Sequence, residues 1–201
     1  MARPADIIPL QPRSASSLAE RSDDELVRLA RGGMSAAFDQ LVRRHQGPAL
    51  RIASKWLGDT AGGKDAVQNA FERIYRTLDR YRCEGRFTPY LYQVVINECR
   101  MAHRGAARRR RRIDELEQPA PAPAERESED LILARERRRE VEAALARLGD
   151  KLRDVLVLRF AGDLSYQEIA EALEIPVGTV KSRLFAGLEK LRALLDGEDR
   201  P

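Results

Sequence analysis

The chain has 201 residues, of which 34% are charged and only 5% aromatic, and its formal net charge is +4. No apolar stretch approaches the roughly 20 residues that a membrane-spanning helix needs, and no secretory signal is readable, so we expect a cytoplasmic protein. Few β-branched runs occur, and this composition predicts an all-α fold. Cys83 and Cys99 lack metal-ligand spacing, so we expect two reduced thiols, no metal site and no cofactor.

Charge divides the chain into blocks. Residues 36–112 carry 17 Lys and Arg residues against 7 Asp and Glu residues, whereas residues 113–130 carry one Arg against seven acidic residues. The acidic block also contains Pro119, Pro121 and Pro123, and proline removes backbone donors and disfavours helix. We therefore predict two small helical domains joined by a flexible acidic linker, with polyanion binding mainly in the first. The predicted segments are a tail (1–21), the first domain (22–112), the linker (113–130), the second domain (131–195) and a second tail (196–201).

The first domain opens with the Ser-x-x-Glu form of a capping box, from Ser22 to Glu25. The short helix that follows should stop at the glycine pair 32–33. Apolar residues then predict two helices, which we expect to be separated at Gly47-Pro48 and to end at Gly58.

Two longer helices complete the predicted first domain. An apolar stripe predicts a helix from about Lys64 to Arg80, and a second from about Phe87 to Arg104, with a loop over residues 81–86 between them. A run of five arginines follows the second helix directly. These arginines could bind backbone phosphates, or they could form a solvated helix end that is favourable beside the negative dipole terminus. The run consists of Arg108, Arg109, Arg110, Arg111 and Arg112.

The second domain carries the most specific local pattern. Ser165 and Glu168 form another capping box, a tight turn follows at residues 174–175, and Pro176 suits the start of a new helix. Two helices joined by so short a turn are typical of a helix-turn-helix, whose second helix lies in the major groove. An ordinary helical hairpin with a solvated basic face is the alternative. The apolar side of the second helix is predicted to hold Val180, Leu184, Leu188, Leu191 and Leu195.

At these residues the sequence resembles a known family. Residues 165–170 (SYQEIA) and 176–184 (PVGTVKSRL) resemble the fourth domain of extracytoplasmic-function sigma factors. Residues 65–71 (DAVQNAF) resemble the polymerase-binding helix of that family's second domain, and residues 87–92 with Asn97 resemble its promoter-melting helices. The resemblance implies a bacterial sigma factor that directs promoter-specific transcription initiation. It further implies core RNA polymerase, promoter DNA and an anti-sigma factor as partners, and no small-molecule substrate.

The resemblance also assigns roles to individual residues. This chain departs from the family pattern at four positions. It has Asn69 where the family usually has Glu, Tyr90 where Trp is usual, Glu174 where Gly is often found, and Ala186 where Arg or His is common. The residues that match the polymerase-binding surface are Asp65, Gln68, Asn69 and Phe71. Those that match −10 recognition and melting are Tyr81, Arg82, Gly85, Arg86, Phe87, Tyr90 and Asn97. Those that match −35 recognition are Lys181, Ser182, Arg183 and Phe185.

Within the −10 set, the three rings near the loop could stack on an extruded base, because every base offers a π-face. We expect Tyr81 to be the most exposed of them, since a polar stretch follows it. Phe87 and Tyr90 could equally be core residues that hold the helix in place.

Two other classes of regulator remain open from the sequence. A stand-alone helix-turn-helix regulator would explain residues 164–195 but would assign no function to the basic block, residues 36–112. A sigma-mimicking partner-switch protein would share the fold without reading DNA. An enzyme is not expected, because His45 and His103 are isolated and no phosphate loop or nucleophile motif is present.

Overall fold

The computed structural model describes residues 18–113 and 129–197, and across these residues it contains α-helices and one 3-10 turn but no strand. The all-α prediction is therefore confirmed. Residues 1–17, residues 114–128 (most of the predicted linker) and residues 198–201 lie outside the described part of the chain. The helices are α1 (Asp23–Arg31), α2 (Ser35–Leu57), α3 (Thr60–Arg76), α4 (Phe87–Ile113), α5 (Glu129–Arg147), α6 (Asp150–Phe160), α7 (Tyr166–Leu173) and α8 (Val177–Asp196), with a 3-10 turn at Leu78–Arg80.

Helix α2 runs without interruption through Gly47 and Pro48, so the predicted break there is wrong. Proline lacks the N–H that would bond back into the preceding turn, which is why the sequence favoured a break. Buried residues lie on one face both before and after it, including Leu41, Ile52 and Trp56. Packing of this continuous apolar face stabilises the helix across the proline.

The next two helices differ from their predicted ends. Helix α3 begins at Thr60, because the carboxylate of Asp59 accepts hydrogen bonds from the backbone N–H groups of Ala61 (3.0 Å) and Gly62 (2.7 Å). It ends at Arg76 and not at Arg80, and Leu78–Arg80 form the 3-10 turn instead of the end of the helix. Helix α4 extends to Ile113 and not only to Arg104. The arginine run 108–112 therefore belongs to this helix, although its side chains lie outside the described ones.

The predicted helix-turn-helix is present. Ser165 and Glu168 form the expected capping box at the start of α7. Glu174 ends that helix in the left-handed conformation, with φ 53°, and Pro176 is the N-cap of α8. Only part of the predicted apolar side of α8 is covered, because Leu188 and Leu195 are each 44% exposed.

Helices α1–α4 form an N-terminal domain and helices α5–α8 a C-terminal domain, and in this structure the two pack together. Helices α2 and α4 contact α6, and α4 also contacts α7. Gly162 lies so close to Ile52 that a Cβ at Gly162 would come within 2.9 Å of the isoleucine Cδ1 atom. The buried residues of both domains consequently join in one hydrophobic cluster.

Candidate nucleic-acid interface

The second helix of the helix-turn-helix presents a polar row, made of Lys181, Ser182 and Arg183, toward solvent. Lys181 and Ser182 are exposed, Arg183 is half-buried, and Phe185 is 71% exposed. Lys and Arg side chains at such positions can reach base edges and phosphates in the major groove. All four −35 candidates lie in the first half of α8; Lys181, Ser182 and Phe185 point to solvent, whereas Arg183 flanks the buried face that holds Val180.

Close packing fixes the angle of α8. At Gly187 a Cβ would come within 3.1 Å of the Leu156 Cδ1 atom on α6, so the small residue permits the two helices to approach. Val180 and Leu184 are buried on the same side. The recognition helix is therefore held from behind by apolar contacts, which leaves its polar row unobstructed.

Tyr81 is buried, with only 8% of its surface exposed, so the expectation that it is the most exposed ring is wrong. Its hydroxyl donates a 3.1 Å hydrogen bond to Asp24 Oδ1 on helix α1. Burial, together with the charge of Asp24, raises the pKa of Tyr81 well above its usual range, so the phenol remains protonated. The polar residues after Tyr81 predicted exposure, but its ring packs against Tyr90 and Phe87, and its hydroxyl is bonded to Asp24.

The three aromatic rings near the loop pack on one another. Tyr81 stacks on Tyr90 at a centroid distance of 5.1 Å and meets Phe87 edge to face at 5.8 Å. Phe87 is only 1% exposed and contacts the His45 ring at 5.4 Å. Phe87 is therefore a core residue, whereas Tyr90 is half-buried.

The exposed part of the loop is polar. Arg82, Gly85 and Arg86 are all exposed, and Gly85 has φ 73°, a conformation that favours glycine. The Arg86 guanidinium lies 4.0 Å from a carboxylate oxygen of Glu171 on α7. The loop therefore offers backbone groups and guanidinium groups to a ligand, and its rings lie behind them.

Asn97 is not brought to the loop. It is half-buried farther along α4, where its side-chain oxygen lies 3.4 Å from Arg100 Nη1. Arg100 also bonds to Asp154 of the C-terminal domain. In this arrangement Asn97 belongs to the region between the two domains.

A solvent-open apolar groove of about 850 Å³ lies between α2 and α3. Of the polymerase-binding candidates, Gln68 and Phe71 line it, with Phe71 6% exposed, whereas Asp65 and Asn69 are exposed on α3 outside the groove lining. Phe38 and Tyr75 were not predicted to belong to this surface, but both line the groove, and their rings meet at 4.9 Å. Tyr75 belongs to the apolar stripe that predicts this helix, yet it is 54% exposed.

A buried polar centre joins the two domains. Asp154, which is fully buried, accepts a 2.8 Å hydrogen bond from the Trp56 indole N–H and a second bond from Arg100. Burial raises the pKa of Asp154, and the bonds from Arg100 and Trp56 oppose part of that rise. The Arg153 guanidinium lies 4.6 Å from the centroid of the Trp56 ring, a cation–π contact.

Other chemistry is sparse in the described residues. No group of three or more His, Cys, Asp or Glu side chains there could hold a metal ion. Both cysteines are free, and burial raises the pKa of the Cys99 thiol to about 12. Among the helices of residues 18–113 and 129–197, none is both long and apolar enough to cross a membrane.

Comparison with known proteins gives consistent matches over both domains. Residues 41–109 match the family model of Sigma-70 region 2, and residues 138–191 match that of Sigma-70, region 4. The RNA polymerase sigma-H factor of Pseudomonas aeruginosa is 32% identical over 181 residues, which are 87% of this chain and 94% of the relative. The ECF RNA polymerase sigma-E factor of Escherichia coli K12 is 34% identical over 179 residues, or 85% of this chain and 92% of the relative.

Two solved structures also resemble this chain. CnrH in complex with the cytosolic domain of CnrY matches with a TM-score of 0.65 and 27% identity, over 89% of this chain and 100% of that one. The sigma factor RpoE in complex with the anti-sigma factor NepR from Bartonella quintana matches with a TM-score of 0.58 and 26% identity, over 81% of this chain and 98% of that one.

Proposed function

Because the chain belongs to the extracytoplasmic-function sigma factors of the sigma-70 family, we propose that its two domains divide promoter recognition between them. The C-terminal domain reads the −35 element, and the N-terminal domain binds core RNA polymerase and opens the −10 element. The observation that carries this proposal is the exposed polar row on α8, the second helix of a helix-turn-helix. A sigma factor is an initiation factor for a polymerase, so no catalytic residue is assigned.

In the −35 role, Lys181 and Arg183 contact base edges or phosphates from the first turns of α8. Ser182 already donates a 3.1 Å bond to the Thr179 carbonyl, so we assign it a positioning or phosphate contact. Phe185 supplies an exposed ring for apolar contact with a thymine methyl group. Since Ala186 provides no polar group, specificity depends mainly on Arg183.

In the polymerase-binding role, the groove between α2 and α3 accepts an apolar face of the polymerase. Phe71 forms part of its floor, and the exposed ring of Tyr75 gives it an aromatic edge. Buried apolar anchors surrounded by polar groups are typical of interface hot spots. Gln68 supplies a polar group at the groove, and Asp65 and Asn69, exposed on α3 outside it, supply polar contacts beside it.

In the −10 role, the loop 81–86 captures an extruded base. The burial of Tyr81 and Phe87 argues against direct stacking by these two rings. We therefore assign capture to the exposed backbone of the loop and to Arg82 and Arg86, with half-buried Tyr90 as the remaining ring. For Arg108 to Arg112 we retain the prediction that they contact backbone phosphates near the melted strand.

The packed arrangement must open on a promoter. The −10 and −35 elements are centred about 25 base pairs apart, which is roughly two and a half turns of DNA, or about 85 Å. Helix α7 contacts α4 directly in this structure, so both domains cannot engage both elements at once. The packed form is accordingly a resting arrangement. Because Ile113 belongs to α4 and residues 129–130 belong to α5, the predicted linker is shortened, and residues 114–128 are proposed as the segment that permits separation.

We include an anti-sigma factor among the partners, because RpoE of Bartonella quintana was solved in complex with the anti-sigma factor NepR. The sigma factor acts in the cytoplasm, and an anti-sigma factor could hold it at the inner membrane until a signal releases it. The matches over both domains do not favour a stand-alone helix-turn-helix regulator, and the following experiment also distinguishes it from a sigma factor.

Promoter binding measured by filter retention, with and without core polymerase, tests the proposal. We expect specific retention of a promoter fragment only when core polymerase is present. Equal specific retention by the chain alone would favour the stand-alone regulator. Failure to co-purify with core polymerase in moderate salt would contradict the polymerase-binding role.

A further inference from the structure

The loop 81–86 is held from outside by a carboxylate of helix α1. Asp24 Oδ1 accepts the 3.1 Å hydrogen bond from the Tyr81 hydroxyl, and Asp24 Oδ2 accepts a 2.7 Å hydrogen bond from the backbone N–H of Gly85. Tyr81 begins the loop and Gly85 lies near its end. One side chain therefore ties both ends of the loop to a different helix, 57 and 61 residues away in sequence.

A second charged side chain of α1 binds the backbone at and just before the start of the loop. Arg31 lies seven residues after Asp24, about two helical turns along the same face. Its Nε and Nη2 atoms donate hydrogen bonds of 2.9 and 2.7 Å to the carbonyl of Leu78, and Nη2 also bonds to the carbonyl of Tyr81. Hydrogen bonds from a guanidinium or to a carboxylate are stronger than those between neutral groups.

The loop has little support of its own. Its internal backbone bonding in the described structure is a single contact, from Glu84 N to the Arg82 carbonyl at 2.9 Å. Gly85 is exposed, adopts φ 73°, and has no heavy atom within 4 Å of where a Cβ would be. A loop anchored at few points loses more conformational entropy when a ligand orders it, so anchors supplied in advance favour binding.

The anchors also shape the space beside the loop. A cavity of about 320 Å³ opens there, and Asp24, Gly85 and Thr88 are among the residues that line it. This volume lies at the lower end of the range for small-ligand pockets. If the hydrogen bond that the Gly85 N–H donates to Asp24 were lost, one wall of the cavity would be free to move.

We propose that Asp24 and Arg31 are positioning residues that preorganise the loop for capture of an extruded −10 base. This inference depends on the base-capture role given to the loop under the proposed function. Neither side chain needs to touch the base. They act by keeping the backbone of residues 81–85 in one shape, so that binding does not have to order it.

The test uses the chain assembled with core polymerase and a fluorescent −10 single strand, either intact or carrying one abasic site at each position in turn. With the wild-type chain, the abasic site at the captured position should weaken binding about tenfold, the size expected for one hydrogen bond to a charged group. With Asp24→Ala, binding of the intact strand should fall about tenfold, and the abasic penalty should nearly disappear. Asp24→Asn should restore most of the penalty, because its amide can accept from Gly85 and donate to the Tyr81 oxygen.

Glu25→Ala is the matched control. Glu25 is the next acidic residue of α1, but its carboxylate bonds to the Ser22 backbone N–H at 3.0 Å, in the capping box, and to Arg21 at 3.2 Å, and it does not line the cavity. This variant should lose thermal stability and keep the abasic penalty. If Asp24→Ala does not fold, Asp24→Asn and Arg31→Lys are measured in its place, and Arg31→Lys should reduce the penalty because lysine cannot form the forked contact.

Two outcomes would overturn the inference in different ways. If the wild-type chain shows the penalty and folded Asp24→Ala shows the same penalty, Asp24 does not position the loop, and the base-capture role stands. If no abasic site weakens wild-type binding, the base-capture role itself is wrong, and the inference is overturned with it.

Discussion

The indole N–H of Trp56 donates a 2.8 Å hydrogen bond to the carboxylate of Asp154, which lies 98 residues later in the chain. This bond joins the two domains at a point where Asp154 has no exposed surface. Arg100 supplies the opposing charge, so the acid is both hydrogen-bonded and paired. A buried acid needs such partners, because removing a charge from water without them is costly.

We predict that Asp154→Asn weakens domain packing by about 1–3 kcal/mol, the usual contribution of a hydrogen bond to a charged group. The amide keeps an acceptor for Trp56 but removes the charge that faces Arg100. Small-angle scattering should show a larger radius of gyration than for the wild-type chain. Asp150→Asn, one turn earlier on α6 and only half-buried, is the control and should leave the radius unchanged.

Tyr81→Ala should destabilise the N-terminal domain by about 3–5 kcal/mol, as expected for truncation of a large buried ring. Tyr81→Phe should cost only about 0.5–1.5 kcal/mol, because it loses the bond to Asp24 and retains the packing. Chemical denaturation measures both values. Tyr75→Ala, at a 54% exposed position, should cost much less. Equal losses for Tyr81→Ala and Tyr75→Ala would contradict the observed burial.

Arg183→Ala should weaken promoter binding by the complete polymerase complex by about 1–3 kcal/mol if the guanidinium reads a base. The loss should depend on the −35 sequence and be small on promoters that already lack the preferred base. Lys190→Ala removes an exposed positive charge farther along α8 and controls for net charge. A uniform loss across all −35 variants would reassign Arg183 to phosphate contact.

Glu174→Gly should stabilise the C-terminal domain by up to about 1 kcal/mol. Glu174 has φ 53°, where a side chain is disfavoured and glycine is not, although glycine also gains entropy in the unfolded chain. Thermal unfolding measures the difference. Glu174→Ala keeps a side chain at the strained position but removes the carboxylate, so it should not stabilise the domain. A gain equal to that of Glu174→Gly would show that loss of the charge, and not relief of backbone strain, causes the effect.

The contribution of Asp23 should depend on pH. Burial raises its pKa, but the bonds from His45 and Arg44 outweigh this, so the pKa is held below its ordinary value of 3.8. Ionised Asp23 therefore stabilises the folded state above about pH 4, and this stabilisation is lost as the pH falls through the lowered pKa. The stability difference between wild type and Asp23→Asn should be constant from pH 5 to 6 and shrink below pH 4. A stability difference between the two proteins that grows as the pH falls would contradict this prediction.

The sequence by itself determined the helical class and the helix-turn-helix, because these depend on local chemistry. Capping boxes at Ser22 and Ser165 satisfy backbone donors within four residues, and the tight turn at Glu174 follows directly from α7. The two family motifs likewise lie within short segments. Such features require no knowledge of distant contacts.

Only the tertiary structure decided which predicted residues are free to act. Tyr81 is followed by polar residues, yet its ring packs against Phe87 and Tyr90, and its hydroxyl donates a hydrogen bond to Asp24, 57 residues earlier. Pro48 lies inside a helix because residues from other helices cover both halves of the same face. Asp154 carries no local signal of burial, and its partners Trp56 and Arg100 come from the other domain. Each outcome depends on a contact between residues far apart in sequence, and periodicity and local propensity do not encode such contacts.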